Sequence, residues 1–139
     1  MGKKSDIMLK IFLSVLAGAL TGAIVVFAGD YLSHLIYAPP ANFDFNNQEA
    51  LQAYAESIPT HVFAIMLCFW LLSSFSGGFV AGKINPQGWQ LSALLTGLLL
   101  LAGAASNFYA IPHPLWMMVA AVILYLPAAW LGGKLANPN

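Results

Sequence analysis

Four stretches of this chain, about 11–37, 59–82, 91–110 and 115–131, are almost free of charge. Each is close to the about 20 residues that a helix needs to cross a bilayer. That recurrence constrains the fold more than any motif does. Only 7% of the 139 residues are charged and 60% are hydrophobic, whereas a soluble domain carries roughly a quarter charged residues. A chain so composed has too little polar surface to face water all round. A membrane barrel would need many segments of about ten residues with alternating polarity, and no such alternation occurs. The expected fold is an all-α membrane protein, one domain over 1–139, with four transmembrane helices in an up-down-up-down bundle.

The connections carry their own punctuation. Pro39 and Pro40 stop the first span, because proline lacks the backbone donor and disfavours helix before it. Pro59 suits the first turn of the second. "KINPQG" and "IPHP" divide the remaining spans. All five lysines (Lys3, Lys4, Lys10, Lys83 and Lys134) fall at one end of this path, and arginine is absent. The positive-inside rule makes that end cytoplasmic, so both termini are expected inside and loop 38–58 outside. Residues 1–28 also resemble a signal peptide, with "VFA" at a cleavage-like position, but the apolar stretch exceeds the usual ~7–15 residues. A permanent helix is the preferred reading.

Within the loop, Asn46 or Asn47 can cap a helix, and Glu49 stands three residues after Asn46 as a capping box requires. Leu51, Tyr54, Ala55 and Ile58 then make one apolar stripe. A short outer amphipathic helix is expected, lying on the membrane surface or across the bundle mouth.

Two segments echo each other: "GGFVAGKINP" at 77–86 and "AAWLGGKLANP" at 128–138. Ser33 with Pro39 and Ser106 with Pro112 share a second spacing. The echo fits two tandem helical hairpins, and it equally fits a general need for a lysine and a breaker at such helix ends. Small residues at four-residue steps mark the packing faces: Gly18 and Gly22, Ser74, Gly78 and Gly82, Ala93 and Gly97, Ala128 and Gly132. In lipid such steps let helix backbones approach, within the chain or between two copies. Pro127 should kink the fourth span.

The three histidines, Asp30 and Asn107 fall together on the non-lysine side. Asp30 and His34 share a helix face at i, i+4, His61 begins the second span, His113 sits in the "IPHP" turn, and Asn107 closes the third. Three chemical readings arise: a metal held by His34, His61 and His113 with Asp30, a haem between His34 and His61, or a proton-linked Asp30–His34 pair. The plainest alternative is an interfacial belt with no site, since His, Tyr and Trp are at home there. No cofactor is required by any motif. Cys68 is the sole cysteine, which rules out an intrachain disulfide. With zero net charge there is no basic field for nucleic acid.

"HLIYAPP", "IPHPLW" and "LPAAWLGGKLA" together resemble a group of short bacterial four-helix inner-membrane proteins of unknown function. That resemblance implies a bacterial inner-membrane location and four spans, and it carries no activity or site. The expected function is non-enzymatic, through association with itself or a larger membrane protein in the lipid bilayer. The alternative is a subunit of a small proton- or metal-ion transporter or channel that uses Asp30 and His34.

Overall fold

The structure, a computed structural model, describes residues 2–138. Five α-helices follow one another: α1 (Lys3–Ile36), α2 (Gln48–Ser57), α3 (Thr60–Ile84), α4 (Trp89–Ala110) and α5 (Leu115–Ala136), with a short 3₁₀ turn (Pro86–Gly88) before α4. All except α2 are long and apolar enough to cross a membrane. The protein is a four-helix membrane bundle with a short helix at one end.

Two helices run past their apolar stretches. α1 starts at Lys3 rather than Ile11, since "KKSDIMLK" has good helix formers and nothing to stop it; Ser5 donates to the Gly2 carbonyl at 2.8 Å. At 1.5 Å per residue its 34 residues span roughly 50 Å, so its first turns project beyond the apolar core. α5 continues through Gly132 and Gly133 to Ala136 because both glycines are buried against neighbours, which outweighs their poor helix propensity. Pro127 lies inside α5, and the helix runs through it.

α3 packs on α1, α4 and α5, and α4 packs on α1 and α5. A twofold relation between hairpins would make α1–α5 the counterpart of α3–α4, yet α1 and α5 have no comparable packing. The sequence echo is therefore local. It appears at the α3–α5 contact, where corresponding positions meet. Ser74 Oγ donates to the Tyr125 carbonyl at 2.7 Å, a Cβ on Gly78 would fall on the Ala129 backbone, and one on Gly82 would lie 3.0 Å from Gly133 Cα. The two exits also match. Asn85 and Asn137 close their helices, and Lys83 and Lys134 lie 5.7 and 4.9 Å from the rings of Phe79 and Trp130.

α1 and α4 zip together near the lysines in the same four-residue steps. Ser14 Oγ donates to Ser92 Oγ at 2.8 Å, a Cβ on Gly18 would sit 2.9 Å from Thr96, and one on Gly22 would meet Leu100. Gly18 also backs onto the Gly77 carbonyl of α3. The marked small residues Gly18, Gly22, Ser74, Gly78, Gly82 and Gly132 are thus buried within the chain, and Ala128 is half-buried. Their use is intrachain packing, which leaves none of those glycines free for a second copy.

Candidate functional site

Past Leu100 the α1–α4 contact ends, and a groove of about 350 Å³ opens between them. It is lined on one side by Val26 and Phe27, on the other by Leu99 and Gly103, and at its inner end by Asp30, Trp70, Asn107 and Tyr125. A second cavity, about 130 Å³, lies at the end of the bundle away from the lysines and shares Asp30 and Asn107 with the groove. Its walls include Val62, Phe63 and Met66 of α3 and the Ile111–His113 turn.

α2 roofs this second cavity. Asn47 is its N-cap, its side chain accepting from the amides of Glu49 and Ala50. The Asn46–Glu49 capping box does not form, because Asn46 is spent on a turn in which its amide donates to Asp44 Oδ1 at 2.9 Å. The expected stripe turns inward: Leu51 and Ala55 are buried, Tyr54 and Ile58 half-buried. Tyr54 donates its hydroxyl to the Tyr37 carbonyl at 2.9 Å, and Tyr37 donates to Ser57 Oγ at 3.1 Å, with their rings stacked at 5.7 Å. Burial pushes the pKa of the Tyr54 phenol above its ordinary value, with Tyr37 adding to the shift, so the hydroxyl keeps the proton it donates. α2 is held by side chains rather than by close helix packing.

Asp30 and His34 do share a face, but their side chains do not pair. His34 Nδ1 donates to the Asp30 backbone carbonyl at 2.8 Å, and the ring is exposed. The Asp30 carboxyl turns instead toward the Trp70 indole, short of a full hydrogen bond. Asp30 Oδ1 and Trp70 Nε1 are both buried with no hydrogen-bond partner. Trp70 itself is 1% exposed.

His113 is held from two directions. Its Nδ1 lies 2.7 Å from the Ile111 carbonyl, which can only accept, so the proton sits on Nδ1 and leaves Nε2 as an acceptor. Its ring sits among Phe63, Trp70 and Phe108, at centroid distances of 6.1, 5.4 and 5.4 Å. Burial pushes its pKa below the ordinary 6.5, while the Ile111 hydrogen bond and the nearby Asp30 carboxyl pull the other way. The imidazole is therefore neutral at pH 7.

Of the five expected site residues, Asp30, His34, Asn107 and His113 line one cavity, and His61 does not. His61 is exposed on the first turn of α3, while Val62 and Phe63 take the inward positions. The three-histidine metal site and the His34–His61 haem pair both needed His61 to turn inward. Among the described residues, no group of three or more His, Cys, Asp or Glu side chains is placed to hold a metal ion. Two site residues escaped the sequence reading, Trp70 and Tyr125. The signal was available: each is an aromatic with a polar tip set deep in a span, away from the interface where such residues are usual.

No family model, curated protein or solved structure matches this chain. What the site does must be argued from its own geometry.

Proposed function

We propose that this chain is a non-enzymatic binding protein of the bacterial inner membrane, holding a small ligand at Asp30 in the outer half of the bilayer. The placement of the five lysines supports cytoplasmic termini and an outside loop, and the likeness of "HLIYAPP", "IPHPLW" and "LPAAWLGGKLA" to short bacterial membrane proteins supports the location.

One observation carries the reading: a buried acceptor, Asp30 Oδ1, and a buried donor, Trp70 Nε1, face each other short of a full hydrogen bond, beside two cavities that share Asp30. Each such orphan costs about 1–3 kcal/mol, and ionisable groups inside a membrane usually mark function. Elsewhere the buried hydroxyls of Ser14, Ser33, Ser73, Ser74 and Thr96 all donate to a backbone carbonyl or another hydroxyl. The exception at Asp30 is local, and an occupant would satisfy it.

Proton or metal-ion transport by one copy is the weaker alternative. Below the site, the backbones of α3 and α5 touch at Gly78 and Ala129, and Gly18 meets Gly77. Of the hydroxyls there, Ser73, Ser74 and Thr96 donate to backbone carbonyls, and the single hydroxyl-to-hydroxyl bond, Ser14 to Ser92, does not reach Asp30, so no continuous chain of proton carriers leads on. A transporter built on Asp30 and His34 would need a second copy or an opening of that half.

The test is extraction in mild detergent followed by denaturation and mass analysis of what is released. The wild-type chain should yield a small molecule near one per chain, and Asp30→Ala and Trp70→Phe should not. Identical extracts from all three remove the reading. If the chain acts instead by association, a stoichiometric protein partner or stable homo-oligomer will survive Asp30→Ala.

A further inference from the structure

The groove between α1 and α4 is a different kind of space from the roofed cavity. Its flanks are apolar, and Phe27 and Leu99 are 73% and 52% exposed. At Gly103 the wall is bare backbone, with nothing within 4 Å of where a Cβ would be. This stretch lies within the apolar spans, so the groove faces lipid and an occupant reaches it from the bilayer. Asp30 and Trp70, which carry the two buried unpartnered atoms, line its inner end.

Those atoms specify a head group. Asp30 Oδ1 and Trp70 Nε1 face each other without completing a hydrogen bond, so an atom that enters between them must donate to the first and accept from the second. A hydroxyl supplies both at one atom, whereas an ammonium offers only donors and a carboxylate or phosphate only acceptors. An anionic head would also face the Asp30 carboxyl with no cation to offset it, because all five lysines lie at the other end of the bundle. An ammonium would leave the buried indole unpaired.

We infer that the α1–α4 groove seats a single-chain amphiphile with a hydroxyl head, the head bridging Asp30 and Trp70 and the chain lying between Phe27 and Gly103. This rests on the reading of Asp30 as a binding site, and it names the ligand class and the route of entry. Asn107, which lines both cavities, offers the head a further donor and acceptor.

The experiment reads Trp70 fluorescence in a variant carrying Trp89→Phe, Trp116→Phe and Trp130→Phe, reconstituted in phosphatidylcholine vesicles. The probe is a long-chain alcohol brominated along its chain, compared with the matching brominated amine and fatty acid. Quenching by the alcohol should saturate, at a mole fraction about tenfold below that for the other two heads, the weight of one charge-assisted hydrogen bond. Gly103→Leu, which fills the groove, should abolish the saturable part, and Asp30→Ala should weaken it about tenfold. Native mass spectrometry of the otherwise wild-type chain should count one alcohol per chain, which keeps the result independent of the indole substitutions. Linear quenching that is equal for all three heads overturns the inference, as does saturation unchanged by Gly103→Leu. If it is overturned while mild extraction still yields an Asp30-dependent ligand, the groove is wrong and the site stands. If neither Asp30→Ala nor Trp70→Phe changes the alcohol count by native mass spectrometry or the ligand released on mild extraction, both fall.

Discussion

Near the lysines, α1 and α4 lie close enough for Ser14 to hydrogen-bond Ser92; further along, the same two helices stand apart around an opening that reaches Asp30. The change is written in side-chain size. Gly18 and Gly22 let α1 approach Thr96 and Leu100, whereas beyond them Val26 and Phe27 of α1 line a gap opposite Gly103. One half is closed by backbone contact and bonded hydroxyls, and the other keeps space and unpaired polar atoms. The comparison separates what holds this bundle together from what the bundle can hold.

The largest expected effect breaks the closed half. Gly78→Leu would drive a side chain into the Ala129 backbone, and where neither helix can give way this should cost about 3 kcal/mol or more. Gly103→Leu enters open space and should stay within about 0.5 kcal/mol of wild type. Denaturant titration in detergent compares the two, and equal losses would erase the distinction between the halves.

The open half should respond with the opposite sign. Asp30→Asn removes a charge from the spans and Trp70→Phe removes an unpaired donor, so each should raise stability by about 1 kcal/mol in the ligand-free protein. A loss of that size would mean that the two groups serve the fold.

A smaller effect concerns the roof. Tyr54→Phe deletes the bond to the Tyr37 carbonyl and should weaken α2 by about 1 kcal/mol. Amide hydrogen exchange should then quicken over 48–57 and stay unchanged in α3–α5. Spread into the bundle would show that α2 is part of the core rather than a cover.

The smallest effect is a pH dependence. Burial holds His113 below 6.5, so the unfolded chain takes up the proton first as pH falls. Stability should be full above 6.5 and decline as the pH drops toward the folded value. His113→Phe keeps a ring among Phe63, Trp70 and Phe108 and should flatten that decline. An equal slope in the variant would place the titration elsewhere.

Some of this was legible in the residues. Span existence follows from apolar length, and the roof helix from the Leu51–Tyr54–Ala55–Ile58 stripe, because both are local patterns with one physical solution. The ends were less legible. Lys3–Lys10 and Gly132–Ala136 extend their helices although hydropathy falls, since helix continuation depends on caps and packing as well as on apolarity.

The site was read in part for a related reason. Asp30 and His34 share a helix face by spacing alone, yet whether two side chains meet depends on rotamers and on competing partners, and His34 found the Asp30 carbonyl first. His61 showed the same limit: the topology brings it to the right end, but one residue of helical rotation separates it from Val62 and the interior.

The sequence by itself determined that this chain forms four long apolar helices and brings Asp30, Asn107 and its three histidines to the end away from its lysines. Those outcomes depend on residue type and order along one dimension. The tertiary structure alone decided that Asp30 faces Trp70 rather than His34, that α2 covers a cavity, and that α1 and α4 part where they do. Those depend on which faces of separate helices pack together, and no spacing within one helix encodes the rotation of its neighbour.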